Sequence, residues 1–315
     1  MSDITNEADV RELGTPTLSQ LYGKSVGKAA AKQRRKRLEV TSEGRRAGVG
    51  TYAALVVCIL VFLIPLYVAV SIASQNSSAT QYGMQAMIPG TGLFKNIARA
   101  FGAMKFWEAL GGTFLVATIV SISTVFFSTL AGYSFSKLRF RGRNALLMLV
   151  VATMTIPQQL SVVPLYIMAN KAGLFGSLWA VIIPGLVSAF GVFWMTQYIG
   201  DALPYELIEA ARVDGCSMFR TFLHVAIPAA RPAAAMLFLF TFIAQWTNYF
   251  WPMLILGPNK NKMLTVAAAT LKGAYFTDYT IVMSGVVLTT APLLLLFFFA
   301  GKQLVSGIMA GAVKG

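Results

Sequence analysis

The sequence predicts an all-α integral membrane protein with six transmembrane helices and both termini in the cytoplasm. Three observations lead there. Of 315 residues, 56% are apolar and only 12% charged, about half the charged share of an ordinary soluble domain. Beyond Gly48 the apolar residues gather into runs, each near the roughly 20 residues a helix needs to cross about 30 Å of hydrocarbon. The positive charge is also unevenly placed, with ten of the 26 Lys and Arg residues in the first 46 positions.

A net charge of +14 raises nucleic acid as a partner, but neither aromatic interleaving nor a recognised binding module accompanies it, so no nucleic acid is expected. Arg34-Arg35-Lys36-Arg37, with Arg45 and Arg46 directly before the first apolar run, has the pattern of a cytoplasmic anchor held by anionic lipid. Residues 1–48 read as a disordered basic cytoplasmic tail without sustained apolar periodicity. They do not read as a cleaved leader, because the apolar run begins late and ends without a small-residue cleavage pattern. Gly23-Lys24-Ser25 imitates the end of a phosphate-binding loop, yet Leu18 stands where its first glycine belongs.

The membrane domain follows over 49–315. Its spans fall at about 51–73, 112–135, 144–168, 177–199, 233–256 and 281–301. Residues 74–111 make the longest external segment. There a Pro89-Gly90 turn precedes Leu93, Phe94, Ile97, Phe101, Phe106 and Trp107, spaced for a short interfacial helix. With the amino terminus inside, the tail and Lys137, Arg139, Arg141, Arg143, Arg212, Arg220, Arg231, Lys302 and Lys314 give 19 basic residues inside. Seven remain outside, and this asymmetry sets the orientation.

The loop over about 200–232 carries most of the functional information. Leu203 to Gly215 reads as a short helix: Pro204 suits its first turn, Glu206 favours its positive start, and Asp214-Gly215 closes it. Ser217 is placed to cap a second helix reaching about Val225, with Pro228 ending it. A plain connector would be shorter, so this helix–turn–helix elbow on the cytoplasmic face is expected to dock something.

No acidic residue lies within the six proposed cores, where a proton- or sodium-coupled carrier needs ionisable groups. Neutral polar groups and aromatics stand there instead. Gln158 and Gln159 lie in span three, and Gln245, Trp246, Asn248 and Tyr249 in span five. Amides and aromatic faces suit a sugar, and equally the gluing of helices or an interfacial belt. Pro157, Pro164 and Pro184 are expected to kink their spans. Cys58 and Cys216 sit on different segments and imply neither a disulfide nor a metal site. His224, the only histidine, has no carboxylate or thiol at useful spacing and reads as a packing or surface residue. Asn76-Ser77-Ser78 fits a glycosylation acceptor pattern, a short match of little weight.

Glu209-Ala210-Ala211, three residues, Gly215, nine residues, Val225, one residue, Ile227-Pro228 resembles the EAA loop of binding-protein-dependent ABC importer permeases. Val225 and Ile227 depart mildly from the usual Ile and Leu. The likeness runs over about 50–315. Trp246, Trp251-Pro252 and Gly311-Ala312-Val313-Lys314-Gly315 look like the carbohydrate branch and its maltose-type second permease subunit. Where that branch commonly has Trp-Asn-Asp or Trp-Asn-Glu, this chain has Trp246-Thr247-Asn248, so the acidic role of relatives does not carry over.

The resemblance implies a type I ABC importer permease fold in a multi-pass protein of the cell membrane. It implies a heterodimer with a second permease subunit, two copies of a cytoplasmic ATPase subunit, an extracytoplasmic solute-binding protein and a sugar substrate. The 257–280 segment would touch that binding protein. ATP and magnesium would be bound by the partner ATPase and no cofactor by this chain, which is therefore no enzyme. Glu209, Ala210, Ala211, Asp214 and Gly215 would form the ATPase-coupling site, and Glu209→Lys or Gly215→Asp would uncouple hydrolysis from uptake. The substrate suggested by the likeness is a di- or oligosaccharide, with a cellobiose-like glucoside as the example. A polyol, glycerol phosphate or other small solute is the alternative, and a secondary transporter a more distant one.

Overall fold

The computed structural model describes residues 48–76, 87–257, 262–273 and 277–312, with side chains as far as 298. The basic tail, Ser77 and Ser78, Asn259, Tyr275, Phe276 and the final Val313-Lys314-Gly315 lie outside the described residues. Contacts divide the chain into two compact units, Met1–Ile64 and Pro65–Gly315. The first is described only over 48–64, the opening part of helix α1 (Val49–Ala73). That part is apolar on every side, as a helix immersed in hydrocarbon must be.

The second unit is helical throughout its regular described structure. After α1 come α2 (Leu93–Ala103), α3 (Phe106–Lys137), α4 (Arg143–Thr153), α5 (Val162–Lys171), α6 (Trp179–Gly185) and α7 (Ala189–Ala202). Then follow α8 (Tyr205–Val213), α9 (Met218–Thr221), α10 (Ile227–Trp246), α11 (Phe250–Ile255), α12 (Leu264–Ala269) and α13 (Tyr279–Ala312). A single tight turn, Gln158–Ser161, precedes α5, and a wide π turn, Phe222–Ala226, joins α9 to α10. Among the described residues five stretches are long and apolar enough to cross a bilayer: Val49–Ala73, Phe106–Lys137, Trp179–Ala202, Met218–Trp246 and Tyr279–Phe298. The pair Arg143–Thr153 and Gln158–Lys171, bent by 87° at its break, meets the same test only when taken together, and counted as one broken span it brings the total to six.

That bend falls at Pro157, which is extended (φ −59°, ψ 126°); proline has no N–H to give and disfavours helix at the residue before it. Pro184 lies in the last turn of α6, and the chain opens before α7 restarts. Pro164 sits in the first turn of α5, where no donor is required, and does not interrupt it. At the α6–α7 break Ser188 caps the new helix by accepting from the Gly191 N–H at 3.2 Å. The carbonyls freed there find hydroxyls on α3: Ser123 Oγ donates to Leu186 O at 2.9 Å and Thr124 Oγ1 to Gly185 O at 3.1 Å. Inside a membrane no water could have done so.

Helix α3 is the axis of the second unit, with α7 and α10 packed along it. The approach of α7 needs Gly132, where a Cβ would stand 2.7 Å from the Met195 carbonyl carbon. At one end Tyr133, Met195, Ile199, Leu203, Ile208 and Phe222 form a buried cluster. At the other, Val116, Val120, Val181, Ile182 and Ile255 make a second cluster, and Met104, Phe106, Phe242, Trp246 and Leu264 a third.

One expectation needs correction. Pro228 does not end the second elbow helix; Met218–Trp246 is one continuous stretch. The wide turn at Phe222–Ala226 shifts the hydrogen-bond register just before Pro228, at the place where its ring and missing N–H would otherwise clash with the preceding turn. The segment 257–280 has a buried part. Met263, Leu264, Val266 and Ala267 are fully buried, because α3 holds a seat for them. Thr113 Oγ1 accepts from the Leu264 N–H at 2.8 Å, and Gly112 has no side chain to obstruct Lys262 O. Of the residues expected to form a short helix after the Pro89-Gly90 turn, Leu93, Phe94, Ile97 and Phe101 lie in α2, whereas Phe106 and Trp107 open α3. Asn96 ties α2 down by donating to Ala73 O and Gln75 O, and Arg99 pairs with Asp278 at 3.3 Å.

Candidate functional site

The elbow begins where α7 ends. Leu203 is fully buried, Pro204 is extended (ψ 148°), and α8 starts behind it. Its closure is a Schellman motif: Cys216 N–H donates to Ala211 O at 2.9 Å and Gly215 N–H to Arg212 O at 3.0 Å. Gly215 makes this possible at φ +78°, a left-handed conformation costly for other L-residues. Ser217 then caps α9, accepting from the Arg220 N–H at 3.4 Å. His224 lies in the wide turn with Nδ1 at 3.0 Å from Arg220 O.

Helical spacing divides the elbow into two faces. Ile208 turns inward onto the cluster with Ile199, Leu203 and Phe222, and Ala211 on the same face is buried as well. Glu206, Glu209, Ala210 and Val213 turn outward, Val213 at 87% exposure. Leu207, Met218 and Phe219 are also more than half exposed. The two alanines therefore serve opposite sides: Ala211 lets α8 lie close on the bundle, and Ala210 keeps its outer face low. Asp214 and Gly215 are exposed at the tip. A compact, partly apolar surface that carries Glu206, Glu209 and Asp214 is suited to dock on protein.

Two residues of this region were not foreseen as site residues. Lys137, only 6% exposed, ends α3 and donates from Nζ to Gly200 O at 2.9 Å. The same ammonium lies 4.6 Å from the centre of the Tyr205 ring, and Tyr205 Oη donates to Ser136 O at 3.1 Å. Together they fasten the start of α8 to the ends of α3 and α7. The sequence signal was a lysine in the last turn of an apolar helix, where it complements the carbonyl end; counted only as an inside charge, it hid its structural task.

Toward the opposite end, three helix breaks converge on a cavity of about 350 Å³. The turn after α4 supplies Gln158, Gln159 and Ser161; α6 supplies Val181, Pro184 and Gly185. The end of α10 and the start of α11 supply Gln245, Asn248, Phe250 and Trp251. No charged side chain is among the described lining residues. Gln245 Oε1 is buried and has no hydrogen-bond partner. The Trp251 indole N–H is already engaged with Ala180 O at 3.0 Å, so its ring offers a face and not a donor. Thr265, on α12, donates to Asn248 O at 2.7 Å and braces this wall.

Four of the six expected path residues thus meet: Gln158, Gln159, Gln245 and Asn248. Trp246 does not join them. It is 4% exposed, stacks on Phe242 and donates from Nε1 to Thr289 O at 3.2 Å, holding α10 against α13. Tyr249 is exposed and lies away from the cavity lining. The split falls at the end of α10: Gln245 and Trp246 are neighbours on the last turn and point to different sides, and Asn248 and Tyr249 lie in the break before α11.

Residues 124–309 match a protein family described as the binding-protein-dependent transport system inner membrane component. The lactose transport system permease protein LacG of Rhizobium radiobacter is 34% identical over 229 residues, 71% of this chain and 82% of the relative. The arabinooligosaccharides transport system permease protein AraQ of Bacillus subtilis (strain 168) is 28% identical over 259 residues, 81% and 92% of the two chains. The sn-glycerol-3-phosphate transport system permease protein UgpE of Escherichia coli (strain K12) is 28% identical over 270 residues, 82% and 95% of the two. A crystal structure of a bacterial ABC transporter that imports the acidic polysaccharide alginate has a chain of the same fold. Its TM-score is 0.69 at 22% identity, covering 83% of this chain and 97% of that one.

Proposed function

Because this chain belongs to the family of binding-protein-dependent transport system inner membrane components, we propose that it passes a neutral di- or oligosaccharide through the membrane. It is a multi-pass permease subunit of an ABC importer, and ATP hydrolysis belongs to a separate subunit. Its partners in this reading are a second permease subunit, two ATPase subunits binding ATP and magnesium, and an extracytoplasmic solute-binding protein. Both termini face the cytoplasm, as the excess of basic residues at the elbow end supports.

The elbow is the lever. Glu209, Ala210, Asp214 and Gly215 face the ATPase, while Ala211 and Ile208 fix α8 to the bundle. When the ATPase dimer closes, its push reaches α7 and α3 through Leu203 and the Lys137–Tyr205 contact, and the spans rock.

One observation carries the substrate reading: the cavity presents amides and an aromatic face, a buried amide oxygen without a partner, and no charge among its described lining. A sugar hydroxyl can donate to Gln245 Oε1, and the Gln158, Gln159 and Asn248 amides can donate or accept. A glycerol phosphate or uronic acid would call for a cationic partner there. The test is uptake by cells that lack this chain and are complemented with it. Labelled lactose, cellobiose, an arabinooligosaccharide and sn-glycerol 3-phosphate are offered together with the cognate binding protein. Uptake of a neutral sugar supports the reading, and uptake of glycerol phosphate alone defeats it.

A further inference from the structure

At the elbow end lies a second concavity, of whose lining the transport reading uses only Tyr205. Between the loop 138–142, the first turn of α4 and Tyr205 is a groove of about 560 Å³, lined by Arg139, Phe140, Gly142, Arg143, Asn144 and Ala145 beside that tyrosine. We propose that this groove binds the headgroup of an anionic glycerophospholipid, whose acyl chains run along α4.

The charge is the first argument. No carboxylate lines the groove, and the one ion pair among the described residues is Arg99–Asp278. Arg143 is set in place by its contacts with Leu138 O at 3.5 Å and Asn144 Oδ1 at 3.4 Å. Arg139 has no such restraint. The adjoining groove does contain Glu209, but together with Lys137, Arg139 and Arg212, so the surroundings stay positive. Guanidinium groups bind phosphate oxygens in pairs, and two of them flank this space. Gly142 caps α4 without a side-chain hydrogen bond, which leaves amides of the first turn turned to the same place.

The second argument is depth. Lys137 ends one span and Arg143 begins the next, so the loop between them stands at headgroup level, with Phe140 exposed beside the arginines. The third is the apolar track. Ala145, in the groove, shares a helix face with Met148, Leu149 and Ala152. Met148 and Leu149 are 72% and 61% exposed, and no residue of α4 is buried. A cationic pocket opening onto an exposed apolar helix has the two-part chemistry of a phospholipid; inorganic phosphate would satisfy only the first part.

The test uses the intact importer in detergent, titrated by native mass spectrometry with phosphatidylglycerol and with phosphatidylcholine of the same chains. Phosphatidylglycerol should bind preferentially. Arg139→Gln should weaken it about fivefold, the double variant with Arg143→Gln at least tenfold, and phosphatidylcholine binding should not move. Arg139→Lys should keep most of the affinity, which separates charge from loop structure, and Arg139→Gln suffices should the double variant misfold. Millimolar inorganic phosphate should not displace the lipid. Equal binding of the two lipids, or equal phosphatidylglycerol binding by wild type and Arg139→Gln, would overturn the proposal. So would loss of the ATPase subunit from the variant complex with lipid binding intact, which would give these arginines to a protein partner.

Discussion

The elbow is made from one uninterrupted stretch, 203–228, whereas the cavity collects residues from three separated stretches, 158–165, 181–185 and 245–251. Within the elbow every bend is closed by its own neighbours: the Schellman pair at Gly215, the Ser217 cap, the turn before Pro228. Around the cavity each stretch is a place where a helix fails, after Thr153, at Gly185 and at Thr247. A locally closed unit moves as one piece. A space bounded by three breaks changes shape when the helices shift. The first is suited to transmit a push and the second to receive its effect.

Substitutions can test that contrast, and the largest effect belongs to the elbow. Glu209→Lys should lower sugar uptake by cells at least tenfold while the permease remains in the membrane, as uptake assays with immunoblotting would record. A variant that transports normally would make the outer face of α8 a passive surface. Next comes the axis joining the two regions. Gly132→Val pushes a side chain onto the α7 backbone and should destabilise the second unit by about 1–3 kcal/mol. Its thermal unfolding in detergent should begin lower than that of Ala131→Val. Gln245→Leu should act at the cavity alone, raising the sugar concentration for half-maximal uptake several-fold with maximal uptake little changed. If Trp246→Phe shifted that concentration as much, the division of the helix into a cavity face and a packing face would be wrong. The smallest effect is expected from Asp278→Asn, which breaks a partly exposed ion pair worth about 0–1 kcal/mol. Its unfolding temperature should stay within a few degrees of wild type.

How much was legible in the sequence follows the same division. Span lengths depend on composition, so the five straight crossings and the apolar stretch that bends could be read, as could the caps at Gly215 and Ser217, which depend on neighbours only. Where a span bends depends on long-range partners. Pro157 and Pro228 are both prolines in apolar runs, yet one breaks its helix by 87° and the other is absorbed by a π turn. Nor does sequence show that the 263–267 stretch is buried, since its seat at Gly112 and Thr113 lies about 150 residues away. In the cavity the amides were visible as polar residues in apolar spans. That Trp246 faces away from Gln245 depends on the packing of the end of α10 against α13, through a partner 43 residues away. Lys137 and Tyr205 were hidden for a related reason, because their contact joins the ends of helices about 70 residues apart.

The central claim is that the elbow transmits the work of ATP closure to the cavity. It is tested most directly by the number of sugar molecules transported per ATP hydrolysed in proteoliposomes containing the complete importer with Gly215→Asp. An aspartate there must either strain the left-handed turn, at about 1–2 kcal/mol, or undo it. The account predicts that hydrolysis continues while the ratio falls at least tenfold, with all subunits still present. A ratio equal to that of the wild type would contradict it.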